Sequence, residues 1–173
     1  QLTDYSKADL FIFNSLLYEG EYVKPMFENN KKLKIINATD NLTMDEFYGL
    51  EEIWFDPSRL LTLARSIKNG LNEYISNYYL KQNIENNFNT LKEELDKIGS
   101  KLSDTTKEAT NKILVTNDEM FEFLSRDKYG LTVYVLDENA NSKTISDVKS
   151  LIENDKVNYI YIKQYDEPNE IIN

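Results

Sequence analysis

The side chains that most often do chemistry through nitrogen or sulfur are missing, because the 173 residues include no histidine and no cysteine. A Cys-His zinc finger, a Cys-His protease and a Ser-His-Asp triad are therefore excluded. What remains is oxygen chemistry, with 30 Asp and Glu against 20 Lys and Arg. Any metal has to bind through oxygen, which favours hard ions over zinc. Two acidic pairs, Glu51-Glu52 and Glu93-Glu94, invite a glycosidase reading. That chemistry needs two carboxyls about 5–10 Å apart across a sugar-binding cleft. Adjacent acids are expected by chance in so acidic a chain, and no enzyme is expected. Five glycines, none in a G-x-G or Walker arrangement, argue against nucleotide binding. Twelve tyrosines and eight phenylalanines could line a carbohydrate or peptide surface, but several fall at helix or strand spacing, where packing explains them first.

The formal charge of −10 and a pI near 4.6 exclude a basic face for phosphate backbones, so nucleic acid is not an expected partner. An acidic surface keeps a protein soluble and concentrates cations near it. With 40% hydrophobic residues the chain can bury the core of one domain or of two small lobes. Absent cysteine fits the cytosol and fits equally an exported protein held by packing alone. No apolar run reaches the roughly 18 residues of a membrane span, and no signal peptide is visible. Gln1 opens inside a polar, helix-like stretch, and Asp166 to Asn173 reads as the first turn of another helix. Both ends look cut, so a fragment is expected and a missing export signal carries little weight.

The elements that must position any site form two similar halves around a helical middle. Leu10 to Asn14 is a short apolar run of the kind found in buried parallel strands. Glu21 to Asn30 has helical spacing, with Pro25 tolerable only in a first turn. Leu33 to Asn37 reads as a second strand, and strands alternating with helices mark βαβ units. At Asp56-Pro57-Ser58 Asp can cap a helix whose first residue is Pro. Apolar residues follow at Leu60, Ala64, Ile67, Leu71, Tyr74 and Tyr78, then out of phase at Ile84, Phe88, Leu91, Leu95 and Ile98. This predicts a break near Ile75 to Asn77 and a second helix ending before Gly99; core packing explains the stripe better than a coiled coil. Beyond it, Lys112 to Thr116, Leu131 to Leu136 and Tyr159 to Ile162 read as strands, and Asp118 to Asp127 and Ser146 to Asp155 as helices. The expected architecture is α/β, two small parallel-sheet lobes around a helical spine. Residues 1–55 form an incomplete N-terminal lobe, 56–98 the linking helices and 99–173 an incomplete C-terminal lobe.

Local motifs carry a resemblance. Leu2 to Ser15, LTDYSKADLFIFNS, is similar to the "L-x-x-A-D-L-x-I-x-N-G" segment of zinc and manganese solute-binding proteins of bacterial ABC importers. Glu19 and the helix through Pro25-Met26 look like that family's "L-E-x-W" without the Trp. Ile53-Trp54-Phe55-Asp56-Pro57 resembles "V-W-L-D-P", Tyr78 to Asn83 resembles "Y-Y-x-x-N", and Val115-Thr116-Asn117-Asp118 with Phe121 and Tyr129-Gly130-Leu131 resembles "V-T-x-H-x-x-F…Y-G-L". Order and rough spacing agree over essentially the whole chain, which corresponds to the middle of the family's usual length.

The resemblance implies two Rossmann-like lobes, a backbone helix and a metal held in the cleft between them. It also implies an extracytoplasmic protein, at the cell surface or anchored as a lipoprotein, with the membrane permease of an ABC importer as partner. Carried over residue by residue, the family's first His falls before Gln1, the His of "H-x-W-L-D-P" falls on Glu52 and that of "V-T-x-H" on Asp118. The Glu-rich turn of manganese-type members corresponds to Asp137-Glu138-Asn139, and the last acidic ligand falls beyond Asn173. Two readings stay open. Glu52, Asp118 and Glu138 form a carboxylate site for a divalent cation such as manganese, calcium or zinc, or the site is lost and these are cleft-edge carboxylates in water. A non-metal surface adhesin or protein-interaction module on the same fold is the alternative function. Two strands make a marginal first-lobe sheet unless its open edge is covered, by a homodimer, by strand exchange or by further sequence.

Overall fold

The computed structural model describes residues 2–16, 18–42 and 52–163, without the side chains of Leu2, Thr3 and Glu52. Glu51 and the expected turn at Asp166 to Asn173 lie outside the described residues. The chain divides into two compact units, one made of Gln1–Glu46 and Pro57–Lys97, the other of Phe47–Asp56 and Ile98–Asn173.

The first unit opens with the short helix α1 (Leu2–Tyr5) and contains strands β1 (Leu10–Phe13) and β2 (Lys34–Asn37). They pair in parallel, with Leu10 opposite Lys34 and Phe13 opposite Asn37, and helix α2 (Gly20–Asn29) forms the crossover. Pro25 lies beyond the first turn of α2, farther in than expected, so the helix forgoes one backbone hydrogen bond there. Met26, Leu33 and the sheet residue Ile36 are buried. Helix α4 (Pro57–Tyr74) lies on β2, and its tightest approach is at Gly70, where an added Cβ would sit 2.6 Å from Cγ1 of Ile36. The Tyr74 hydroxyl ties the end of α4 to the sheet by donating to the Ile35 carbonyl at 3.1 Å.

The break after α4 falls at residues 75–77, as the change of phase predicts, and helix α5 (Tyr78–Glu108) follows. The expected stop before Gly99 is wrong, since α5 runs on through Gly99 to Glu108. A mid-helix glycine costs only about 1 kcal/mol. Beyond it, half-buried Leu102 joins an apolar cluster and Thr106 is buried, and this tertiary packing outweighs the glycine.

In the second unit, β3 (Ile113–Thr116) and β4 (Thr132–Val135) pair in parallel, Ile113 opposite Thr132 and Thr116 opposite Val135. Side chains alternate between the two faces. Ile113, Val115, Tyr134 and Leu136 face a core with Val148 and Val157, whereas Leu114, Leu131 and Val133 pack with Phe123, Leu124 and Tyr129. Both faces are covered, which explains the continuous apolar run in the sequence.

Three expected elements differ here. The segment expected as a helix over Asp118 to Asp127 is a 3₁₀ helix, Glu119–Ser125. Its period of three stacks Phe121 over Leu124 and Met120 over Phe123, delivering Phe123 and Leu124 to the core. Helix α6 (Ser142–Glu153) starts four residues before Ser146, because the Asn141 side chain caps it by accepting from the Thr144 N–H at 2.9 Å. The Tyr159 to Ile162 strand reduces to one parallel bridge between Thr116 and Tyr161. A turn ending in Gly130, at φ 68°, leads into β4; this left-handed backbone favours glycine. Among the described residues no helix is long and apolar enough to cross a membrane.

Candidate functional site

In parallel α/β sheets, ligands gather outside the C-terminal ends of the strands. In the second unit those ends are Thr116 and Val135, directly opposite each other. Asp118 follows the first and Glu138 the second, so the sheet brings two of the three sequence-predicted residues to one end.

Asp118 caps the 3₁₀ helix. One carboxylate oxygen accepts from the Met120 N–H at 2.9 Å, and the other meets Nζ of Lys163 at 2.8 Å. Its own N–H donates to Oγ1 of Thr116 at 3.2 Å. The side chain is only 11% exposed. Burial pushes the Asp118 carboxyl up, but the hydrogen bond from Lys163, the Met120 N–H and the Lys163 charge together hold its pKa below the ordinary aspartate value.

Lys163 reaches this position because its segment lies along β3. The Tyr161 N–H donates to the Val115 carbonyl at 2.9 Å, and the Asn117 N–H donates to the Tyr161 carbonyl at 3.1 Å. The Lys163 N–H then donates to Oδ1 of Asn117 at 2.9 Å.

Glu138 stands exposed in the turn after β4, where Oδ1 of Asp137 accepts from the Asn139 N–H at 3.0 Å. Glu52 opens helix α3 (Glu52–Phe55), in the same unit, and its side chain lies outside the described residues. Other acids crowd the strand ends. Burial raises the Glu122 pKa, and the charges of Glu119 and Asp137 raise it further. Among the described residues, no three Asp or Glu side chains gather closely enough to hold a metal ion.

Two charged features escape sequence reasoning. Asp56, read as a helix cap and as part of the segment resembling "V-W-L-D-P", is fully buried and forms ion pairs with Arg126 and with Lys128, the latter at 3.3 Å. Arg126 stands 70 residues away, so no local pattern announces the pair. Lys163 likewise carries no signal beyond the strand pattern that ends just before it.

In the first unit the equivalent strand ends carry a neutral network. Oγ1 of Thr39 donates to Oδ1 of Asn37 at 2.9 Å and accepts from the Ser15 N–H at 3.1 Å. The single Thr39 proton is thereby used, so the Ser15 hydroxyl donates to Thr39 at 3.0 Å and accepts from Nδ2 of Asn37 at 3.1 Å. These amides and hydroxyls satisfy one another and bring no charge to bear on a cation.

The family described as zinc-uptake complex component A, periplasmic (ZnuA), matches residues 1–173. Comparison with curated proteins returned no match. Among solved structures, a Zn(II)-bound His-to-Leu variant of AdcAII from Streptococcus pneumoniae is 20% identical, with a TM-score of 0.72 over 96% of this chain and 65% of that one. The Zn(II)-bound ZnuA-like domain of Streptococcus pneumoniae AdcA is 23% identical, with a TM-score of 0.67 over 93% and 62%. The metal-dependent lipoprotein YcdH from Bacillus subtilis is 18% identical, with a TM-score of 0.70 over 94% and 63%. The chain thus spans 62% to 65% of the length of these three structures. At these identities the likeness is one of fold: α/β, with two small parallel sheets and a long helix. With the match extending from the first residue to the last, the chain belongs to the family of periplasmic zinc-uptake complex component A proteins.

Proposed function

We propose that this chain is a divergent extracytoplasmic solute-binding protein of the zinc/manganese ABC-importer class in which the metal site has been lost. Family membership supports the binding role and the permease of an ABC importer as its partner. A lipoprotein anchor and exposure at the cell surface belong to the same proposal. The observation that carries the loss is the engagement of Asp118. Standing where the family has an imidazole, it offers oxygen rather than nitrogen, and its two oxygens are held by the Met120 N–H and the Lys163 ammonium. Such donors do not fit a zinc ion, which takes tetrahedral sets rich in His or Cys.

Calorimetric titration of metal-stripped protein with Mn²⁺, Zn²⁺ and Ca²⁺, with Glu52→Ala and Asp118→Ala alongside, tests this. The expected result is no tight one-to-one binding. Tight binding abolished by both substitutions would overturn the reading and establish an oxygen-ligand site rebuilt on Glu52 and Asp118.

The second reading, a surface adhesin or interaction module, draws on Tyr78, Tyr79 and Leu80, which stand 71%, 79% and 51% exposed within one helical turn of the first unit. A homodimer or strand exchange at an edge of the β1–β2 pair is a separate proposal, and sedimentation and thermal melting as a monomer of ordinary stability would count against it.

A further inference from the structure

We propose that Lys163 is a tethered cation, which occupies the position of a metal ion's charge beside Asp118 and is held there by the strand-like segment that carries it. The inference rests on the reading that the metal site is lost, and it names what replaced the ion.

Three observations carry it. First, the carboxylate is largely withdrawn from water and the ammonium lies 2.8 Å from one of its oxygens, a charge-assisted distance. Second, the placement is built by the backbone. Bonds from the Tyr161 N–H to Val115, from the Asn117 N–H to Tyr161 and from the Lys163 N–H to the Asn117 side chain set the register that brings residue 163 alongside residue 118. Third, the same strand ends carry Glu119 and Asp137, whose negative charges both act on Glu122. A positive charge fixed in this acidic field is what a bound cation would otherwise supply.

The consequence is competitive. A divalent ion approaching Asp118 meets a like charge at contact distance, and both carboxylate oxygens already have donors. An ordinary ion pair would respond differently, because removing its lysine would leave the metal response unchanged.

Manganese(II) alone is the probe, and paramagnetic broadening of the backbone amides of Asn117 to Met120 in the ¹⁵N-labelled 173-residue chain is the readout. Wild type is expected to show no selective broadening at one equivalent of Mn²⁺. K163M is expected to show it at a Mn²⁺ concentration about tenfold below the one wild type needs. Adding D118N to K163M abolishes the effect, and K163R behaves as wild type. Equal broadening of wild type and K163M, or broadening in K163M that survives D118N, would overturn the tethered cation and leave the lost-site reading standing. Selective, Asp118-dependent broadening of wild type at one equivalent would instead overturn the lost-site reading, and the tethered cation with it.

Discussion

The two parallel strand pairs of this protein are built alike and finished differently. Each is a βαβ-type pair whose strands end opposite one another, at Phe13 and Asn37 in the first unit and at Thr116 and Val135 in the second. At the first pair, Ser15, Asn37 and Thr39 close a neutral network in which each polar group finds its partner locally. At the second, Asp118 is charged and answered by Lys163, and deeper in the unit Asp56 is charged and answered by Arg126 and Lys128. A neutral network is satisfied by geometry alone. A buried or half-buried carboxylate needs a positive charge brought from elsewhere in the chain, so the second unit is where the question of a cation arises.

The contrast breaks most visibly at Asp56. D56A leaves Arg126, whose side chain is only 18% exposed, without that counter-charge. Removing one partner of a buried pair costs about 3–5 kcal/mol. Urea unfolding followed by fluorescence of Trp54, the single tryptophan and a residue of the second unit, reads the loss. A midpoint unchanged from wild type would remove the buried pair from any account of this unit's stability.

The neutral network is expected to be worth less. T39V keeps the shape of a residue that is 2% exposed while taking away its donor and acceptor. The Ser15 N–H and Asn37 Oδ1 lose a partner each, at about 1–3 kcal/mol in total. Circular dichroism during urea unfolding measures the cost, and faster amide exchange at Ser15 locates it.

The smallest effect sharpens the comparison at Asp118. Its pKa is depressed in the folded protein, so the contribution to stability is present above the unfolded pKa and is lost as pH falls through the folded one. With Lys163 half exposed, that contribution is at most about 1 kcal/mol. K163M is expected to raise the Asp118 pKa and to shrink the loss of stability in acid. Carboxyl NMR titration of both proteins checks the direction, and an unmoved Asp118 would show that the Met120 N–H alone sets its acidity.

Much of the fold was legible in the residues, for physical reasons that differ by element. Strands β1 to β4 announced themselves as short apolar runs, which in β3 and β4 reflect a sheet covered on both faces, and the break at residues 75–77 followed from a phase change in the apolar stripe. The misjudged elements were those where tertiary contacts override a local signal. Gly99 looked like a stop, but Leu102 and Thr106 beyond it are packed. The last helix was expected from Ser146, but Asn141 caps it and starts it at Ser142. The 3₁₀ geometry after Asp118 could not be told from an α-helix by an apolar run so short. At the site, resemblance pointed to Glu52, Asp118 and Glu138, whereas Lys163 and the Asp56–Arg126 pair stayed hidden. Ion pairs between residues 45 or more positions apart in a chain of 30 acids and 20 bases have no periodicity to betray them.

The strand-like segment that carries Lys163 also has a bearing on how the protein is made. At elongation rates of about 5–20 residues per second, residue 163 leaves the peptidyl-transferase centre roughly two to nine seconds after Asn117, its partner 46 residues earlier. During that interval β3 and β4 can pair, but the outer edge of β3 has no neighbour and Asp118 has no lysine. The segment that carries Tyr161 and Lys163 then closes that edge and brings the lysine to the carboxylate in a single step.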